Sequence, residues 1–232
     1  HDNKYFPYAH TLFDIAPNYY IAVKGAYSGF TNSERINSEN ILARNMGYGG
    51  LTTYQYTGYE YDNISAVWDF AMLPGTTAYY ETDEILATYL EKRGSSNYRS
   101  TTVHSDGAAD GEVGGLYVDI ENEEGLFSRQ AYITYKGLMI GLGTSISCSN
   151  PENTRPIFTT INQVYANNTE YNGTSIEGNR VINDSTAVYN GAFAYYNLGG
   201  GDMYAKVEQV TGDLNRNNPA ASGAFTEDIF TL

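Results

Sequence analysis

Three consecutive runs, "GGLYVDIENEEG", "LFSRQAYITYKG" and "LMIGLGTSISCS", constrain this chain most. Each alternates apolar with polar or small residues, and Glu-Gly and Lys-Gly turns separate them. Period-two runs joined by glycine turns this short lie antiparallel, so the segment reads as a meander. Similar runs occur elsewhere. "NYYIAVKGAYSGF" alternates Ile21, Val23 and Tyr27 with polar or small neighbours, and "LTTYQYTG" (51–58) follows a glycine turn. "RPIFTTINQVYANN" reads as another strand, as do "TAVYNGAFAYYNLGGG" and "MYAKVEQVTGD". Turn signals at intervals of roughly ten residues are the rhythm of an all-β sandwich. One segment departs from it: "TDEILATYLEKRG" (82–94) places Ile85, Leu86, Tyr89 and Leu90 at helical spacing. The small, polar residues 94–115 read as a long surface loop. Without a low-complexity linker or internal repeat, residues 1–232 read as one domain.

The net charge of −14 excludes nucleic acid and anionic membrane surfaces as partners. No apolar run reaches the roughly 18 residues of a membrane-spanning helix. Cys148 is the only cysteine, so neither an intrachain disulfide nor a cysteine knuckle for a metal is available. The 23 tyrosines suit half-buried strands, and they suit surfaces that stack on sugar rings. "EDIFTL" ends within what reads as a strand, and no basic, apolar leader opens the chain. Both ends are therefore expected to be cuts in a longer protein.

Few familiar catalytic motifs are present. His1, His10 and His104 do not share metal-ligand spacing, and no nucleophile elbow or phosphate loop occurs. "GYGG" (47–50) lacks the lysine of a phosphate cradle and reads as a turn. Asp62, Asp106, Asp110, Asp184, Asp202 and Asp213 fall in polar stretches read as loops. A structural calcium ion could use some of them, but no EF-hand pattern is present. No other cofactor and no catalytic metal are expected.

The densest polar run is "SERINSENILARNMGYGG" (33–50), which reads either as a solvated loop or as the lining of a polar site. "YEYDNISAVWDFAMLPGTTAYY" (59–80) follows, with the single tryptophan, Trp68. Read without precedent, Pro74-Gly75 is a turn and Trp68 a core or stacking residue. Taken together, Glu34, Asn37, Glu39, Asn40, Gly47, Tyr54, Tyr56, Trp68 and "PGTT" (74–77) fall in a specific order. That order resembles the central β-domain of the family 8 polysaccharide lyases, the hyaluronate, chondroitin AC and xanthan lyases. "FSRQAYITYKGLMIGLGTSISC" and "RPIFTTINQ" resemble later strands of the same domain.

The resemblance implies a β-supersandwich of the galactose-mutarotase-like kind, one part of a larger enzyme built from an α/α-toroid and β-sheets. It implies an acidic polysaccharide as substrate, cleaved by β-elimination next to a uronate. It also implies a missing N-terminal helical domain that supplies the proton-transferring groups, and a secreted or periplasmic bacterial setting. By the same resemblance, Glu34 and Asn37 support catalysis from the cleft wall, Glu34 by holding an arginine of the helical domain. Arg35, Asn40, Trp68 and Tyr54 are the candidate substrate-binding residues. The competing readings are a non-catalytic carbohydrate-binding module, a structural domain of a surface protein, and a heparinase-type lyase.

Overall fold

The computed structural model describes residues 1–28, 31–34, 39–92, 97–99, 104–122, 124–199 and 201–232, and excludes the side chains of 31–34, 89–92 and 97–99. The chain opens with β1 (Asp2–Phe6), β2 (Thr11–Ala16) and β3 (Tyr19–Lys24), then β4 (Thr31–Glu34), a 3-10 turn (Ala43–Gly47) and β5 (Leu51–Gln55). Next come β6 (Thr77–Tyr79), helix α1 (Asp83–Lys92), β7 (Asn97–Arg99) and β8 (His104–Ala109). The meander follows as β9 (Val113–Glu121), β10 (Leu126–Tyr135) and β11 (Leu138–Cys148). Short strands succeed it: β12 (Ile157–Thr159), β13 (Gln163–Tyr165), β14 (Glu170–Tyr171), β15 (Thr174–Ser175), β16 (Gly178–Ile182), β17 (Val188–Asn190) and β18 (Phe193–Tyr195). Two long strands, β19 (Met203–Asp213) and β20 (Ala224–Thr231), complete the fold.

All described pairings are antiparallel. The sheet β1-β2-β3-β5 faces the sheet β11-β10-β9-β8 across a core of Leu12, Val23, Leu116, Val118, Ile120 and Tyr132. The sheets β13-β20-β19-β16 and β15-β14-β17-β18 enclose a second core around Val164, Ile182, Val188, Ala205 and Phe230. A third core joins the two halves, with Leu42, Val67, Trp68, Phe70, Leu73, Leu86 and Ile229. The segment expected to be helical forms α1 over Asp83–Lys92, and among its described side chains Leu86 is fully buried.

Several local expectations are corrected. Segment 94–115 is not a long loop, because it contains β7 and β8, and His104 lies exposed on β8. "HSDGAA" has little β-propensity of its own; pairing with β9 makes it a strand. Its small residues are required, since a Cβ on Gly107 would lie 2.5 Å from the carbonyl oxygen of Gly115 and 3.0 Å from the Tyr5 ring. "RPIFTTINQVYANN" is two short strands rather than one, with β12 on β6 and β13 on β20, and "TAVYNGAFAYYNLGGG" is likewise two, the antiparallel pair β17 and β18. Asp106 and Asp213 likewise sit in strands rather than loops.

Candidate functional site

The run 33–50 begins in β4, which pairs Glu34 with Asn97 of β7 and lies against the 3-10 turn Ala43–Gly47. The backbone of Glu34 is thereby placed; its side chain, and all of Arg35 and Asn37, lie outside the described residues. Asn40 is exposed, with the left-handed φ of 57° that asparagine tolerates. Its side-chain oxygen accepts from Asn217 Nδ2 at 3.4 Å. Asn217, on the connection from β19 to β20, also accepts the backbone N–H of Ile41 at its carbonyl (3.1 Å) and that of Leu42 at Oδ1 (2.9 Å). The polar run is thus latched where it turns into the molecule.

The next residues go inside. Asn45 donates to the Phe70 carbonyl at 3.1 Å. Arg44, only 1% exposed, donates from Nη1 to Glu81 Oε2 at 2.7 Å and from Nη2 to Glu124 Oε2 at 2.6 Å. Arg155 closes a ring of alternating charge: its Nη1 pairs with Glu81 Oε1 and its Nη2 lies 3.3 Å from Glu124 Oε2. Glu81 is 1% exposed, Glu124 19% and Arg155 29%, so the ring is dry on one side and wet on the other. The wet side opens on a shallow concavity lined by Asn150, Glu152, Asn153 and Thr154. Arg155 lies over the Tyr79 ring, 4.4 Å from its centroid, and Arg44 over Tyr48 at 5.4 Å. The ring ties four segments together: the 3-10 turn, the lead into α1, the β9–β10 turn and the β11–β12 connection. Sequence reasoning placed Arg44 in the polar run but gave none of these four residues a role of its own. One signal was available: Arg44 directly follows the apolar Ile41, Leu42 and Ala43.

The Pro-Gly corner is a second knot. Gly75 has φ +78°, and a Cβ there would lie 1.9 Å from the Gly50 carbonyl oxygen. Its N–H donates to the Thr160 carbonyl at 2.6 Å, and its carbonyl accepts from the Tyr132 hydroxyl at 3.0 Å. Thr77 Oγ1 accepts from Gln130 at 2.5 Å. The two glycine turns of the motif therefore abut, and "PGTT" is architectural.

Trp68 and Tyr54 are corrected from surface to interior. Trp68 is 9% exposed, donates its indole N–H to the Gln163 carbonyl at 3.1 Å, and meets Phe70 and Tyr61 edge-on. Tyr54 packs against Phe193 and Tyr195, and burial pushes its pKa up to about 12. Each ring is held in a core, so neither presents a face for a sugar to stack on. Tyr56 and Tyr59 are the exposed aromatic residues beside them. The described tyrosines with displaced pKa values are all displaced upward, by burial at Tyr79 and Tyr132 and chiefly by the Asp184 hydrogen bond at Tyr171.

The description of polysaccharide lyase family 8, super-sandwich domain, matches residues 1–232. The chain belongs to that family. This super-sandwich domain is 26% identical to chondroitinase-AC of Pedobacter heparinus over a gapped alignment of 239 positions that covers 97% of this chain and 33% of the relative. A chondroitinase AC lyase structure, from work on enzyme–oligosaccharide complexes, superposes with a TM-score of 0.77 at 21% identity, over 96% of this chain and 32% of that one. The chondroitin AC lyase of Streptomyces coelicolor A3 superposes at 0.74 with 18% identity, over 99% of this chain and 30% of that one. These superpositions establish the β-supersandwich fold. The family 8 domain spans about one third of the length of the relatives it matches. Among the described residues no helix is long and apolar enough to cross a membrane.

Proposed function

We propose that this domain forms one wall of the cleft of a secreted or periplasmic polysaccharide lyase that cleaves uronic-acid-containing glycans, chondroitin-like chains first among them. The observation that carries this reading is the whole-chain family match together with the chondroitinase-AC relative. The reaction is β-elimination. A base takes the C5 proton of the uronate, charge spreads into the neighbouring carboxylate, and the oxygen at C4 leaves with a proton from an acid. That carboxylate must be neutralised or hydrogen-bonded as charge builds on it, and the base needs a pKa near the working pH. The described tyrosines with displaced pKa values are shifted away from that range, which supports a base supplied by another domain of the full-length protein.

In this reading Glu34 orients an arginine of the helical domain, Asn37 hydrogen-bonds the sugar or the catalytic network, and Arg35 offers charge to the uronate. Asn40 acts through its latch to Asn217, which sets where the run enters the wall. The domain alone is inactive.

The test is ultraviolet detection of the unsaturated product on chondroitin, hyaluronan and xanthan, for the full-length protein and for residues 1–232. Activity is expected from the first and not the second, with Glu34→Ala lowering kcat in the full-length protein by about a hundredfold, the scale of losing one element of transition-state electrostatics. A full-length protein that binds these glycans but releases no unsaturated product would identify a binding module instead. Robust turnover by 1–232 would overturn the placement of the base.

A further inference from the structure

The second core loses its apolar lining at one end. In the sheet β15-β14-β17-β18 the register carries the inner face from Tyr195 through Val188 and Tyr171 to Thr174. The first three are buried, but Thr174 is exposed. On the facing sheet, β16 turns Arg180 and Ile182 to the inner side, opposite Ala205 and Met203 of β19. Ile182, Ala205 and Met203 are buried, yet Arg180 is exposed. Among the described strands, β15 and β16 are edges of their sheets. The inner faces of packed sheets interdigitate to form the core. Here a threonine and an arginine stand on that face at the two edges, and the core stops short of them.

The edges part around a cavity of about 530 Å³. Buried Tyr171 and Ile176 line its base. The Tyr171 hydroxyl donates to Asp184 Oδ2 at 2.9 Å, which fixes the ring, and the Arg180 guanidinium lies over that ring, 5.2 Å from its centroid. Gly173 and Gly178, on either side, have open space where a Cβ would stand, so no side chain of theirs narrows the mouth. Arg180 differs from the other described arginines. Arg44, Arg129, Arg155 and Arg216 each pair with a carboxylate. Arg180 makes no ion pair among the described residues, in a chain of net charge −14. Inward charges also guard edge strands against pairing. A guard, however, needs neither a cavity nor hydrogen-bonding groups around it, and Thr174, Glu177 and Asn179 all stand exposed along this one.

We propose that this cavity, built by β14, β15 and β16, is a binding site for one uronate residue of an acidic glycan. Arg180 takes the carboxylate through its paired N–H groups, held over Tyr171 in a fixed orientation. Thr174 and Asn179 hydrogen-bond ring hydroxyls, and Glu177 accepts from one. A single cation beside a single acid suits a sugar with one charge and many hydroxyls, and it disfavours a densely charged anion. The inference takes its class of glycan from the reading above. A long chain held here is kept at high effective concentration beside the domain.

Hydrogen exchange on the full-length protein tests it, with methyl β-glucuronide as the probe and methyl β-glucoside as its neutral counterpart. Neither carries a glycosidic bond at C4, so the readout is independent of lyase activity. With the glucuronide, amides of Tyr171–Ile182 are expected to exchange more slowly, in a saturable way. The half-saturating concentration is expected to rise at least about tenfold in Arg180→Gln, the scale of losing a charge-assisted hydrogen bond. Arg180 is exposed, so the variant keeps its fold. No slowing with the glucuronide overturns the proposal. So does equal slowing by the glucoside, or by sodium sulfate, which would mark an adventitious ion only, and so does slowing that Arg180→Gln leaves unchanged. Protection that Arg180→Gln removes, in a full-length protein that releases no unsaturated product, would support this site and remove only the lyase reading.

Discussion

Replacing Arg44 by Met tests how the motif is anchored. The side chain is 1% exposed and makes two charged hydrogen bonds, to Glu81 at 2.7 Å and Glu124 at 2.6 Å. Methionine fills a similar volume but leaves both acids short of one partner, and Glu81 stays buried. Breaking a buried ion pair from one side costs about 3–5 kcal/mol. Arg155 still contacts both acids, so the lower end, about 3 kcal/mol, is expected. For a domain of this size each kcal/mol moves Tm by about 2–4 °C, so the midpoint should fall by about 6–12 °C. Calorimetry at neutral pH on the full-length protein or the domain reads this directly. Adding Glu124→Gln to Arg44→Met removes one of the stranded charges and should recover about 1 kcal/mol, the coupling expected of neighbours in one network. For comparison, removing Lys206 from its exposed pair with Glu208 should cost less than about 1 kcal/mol. A loss for Arg44→Met no larger than that of the exposed pair would refute the assignment of the ring as an anchor.

Three further outcomes follow from the geometry. Gly75→Ala, with its Cβ 1.9 Å from the Gly50 oxygen at φ +78°, should abolish soluble folded protein, whereas Gly173→Ala, at φ +68° with open space around it, should cost about 1 kcal/mol; similar stabilities for the two in urea melts would show that the corner can relax. Asn217→Ala removes the acceptor of the Leu42 N–H and the donor to the Asn40 side chain, and should cost about 1–3 kcal/mol with faster amide exchange at Ile41–Ala43; unchanged exchange would remove the latch. Glu60 is raised by burial, but the N–H groups of Thr57 and Tyr56 outweigh this and hold its pKa below the usual carboxylate value. A depressed folded pKa contributes stability that is fully present above about pH 4.3, the unfolded value, and is lost as pH falls through the folded pKa. The stability gap between wild type and Glu60→Gln should therefore shrink between neutral pH and about pH 3, and a gap independent of pH would exclude this linkage.

The periodicity of the chain by itself determined the all-β class, the three-strand meander and the helix α1, because those signals are local. Alternation assigns faces, glycine places turns, and the 3.6-residue spacing of Ile85, Leu86 and Tyr89 needs no partner to be read. The order from Glu34 through Trp68 to Thr77 was also enough to point to family 8. Only the tertiary structure decided what those residues do. Trp68 and Tyr54 are interior because strands distant in sequence close over them, and a ring that can either pack or stack looks the same in one dimension. β8 is a strand because β9 supplies its hydrogen bonds, which no propensity within "HSDGAA" encodes. The ring of Arg44, Glu81, Glu124 and Arg155 joins residues up to 111 positions apart, from Arg44 to Arg155. Charge complementarity acts through space, so only the folded chain reveals which acid meets which base.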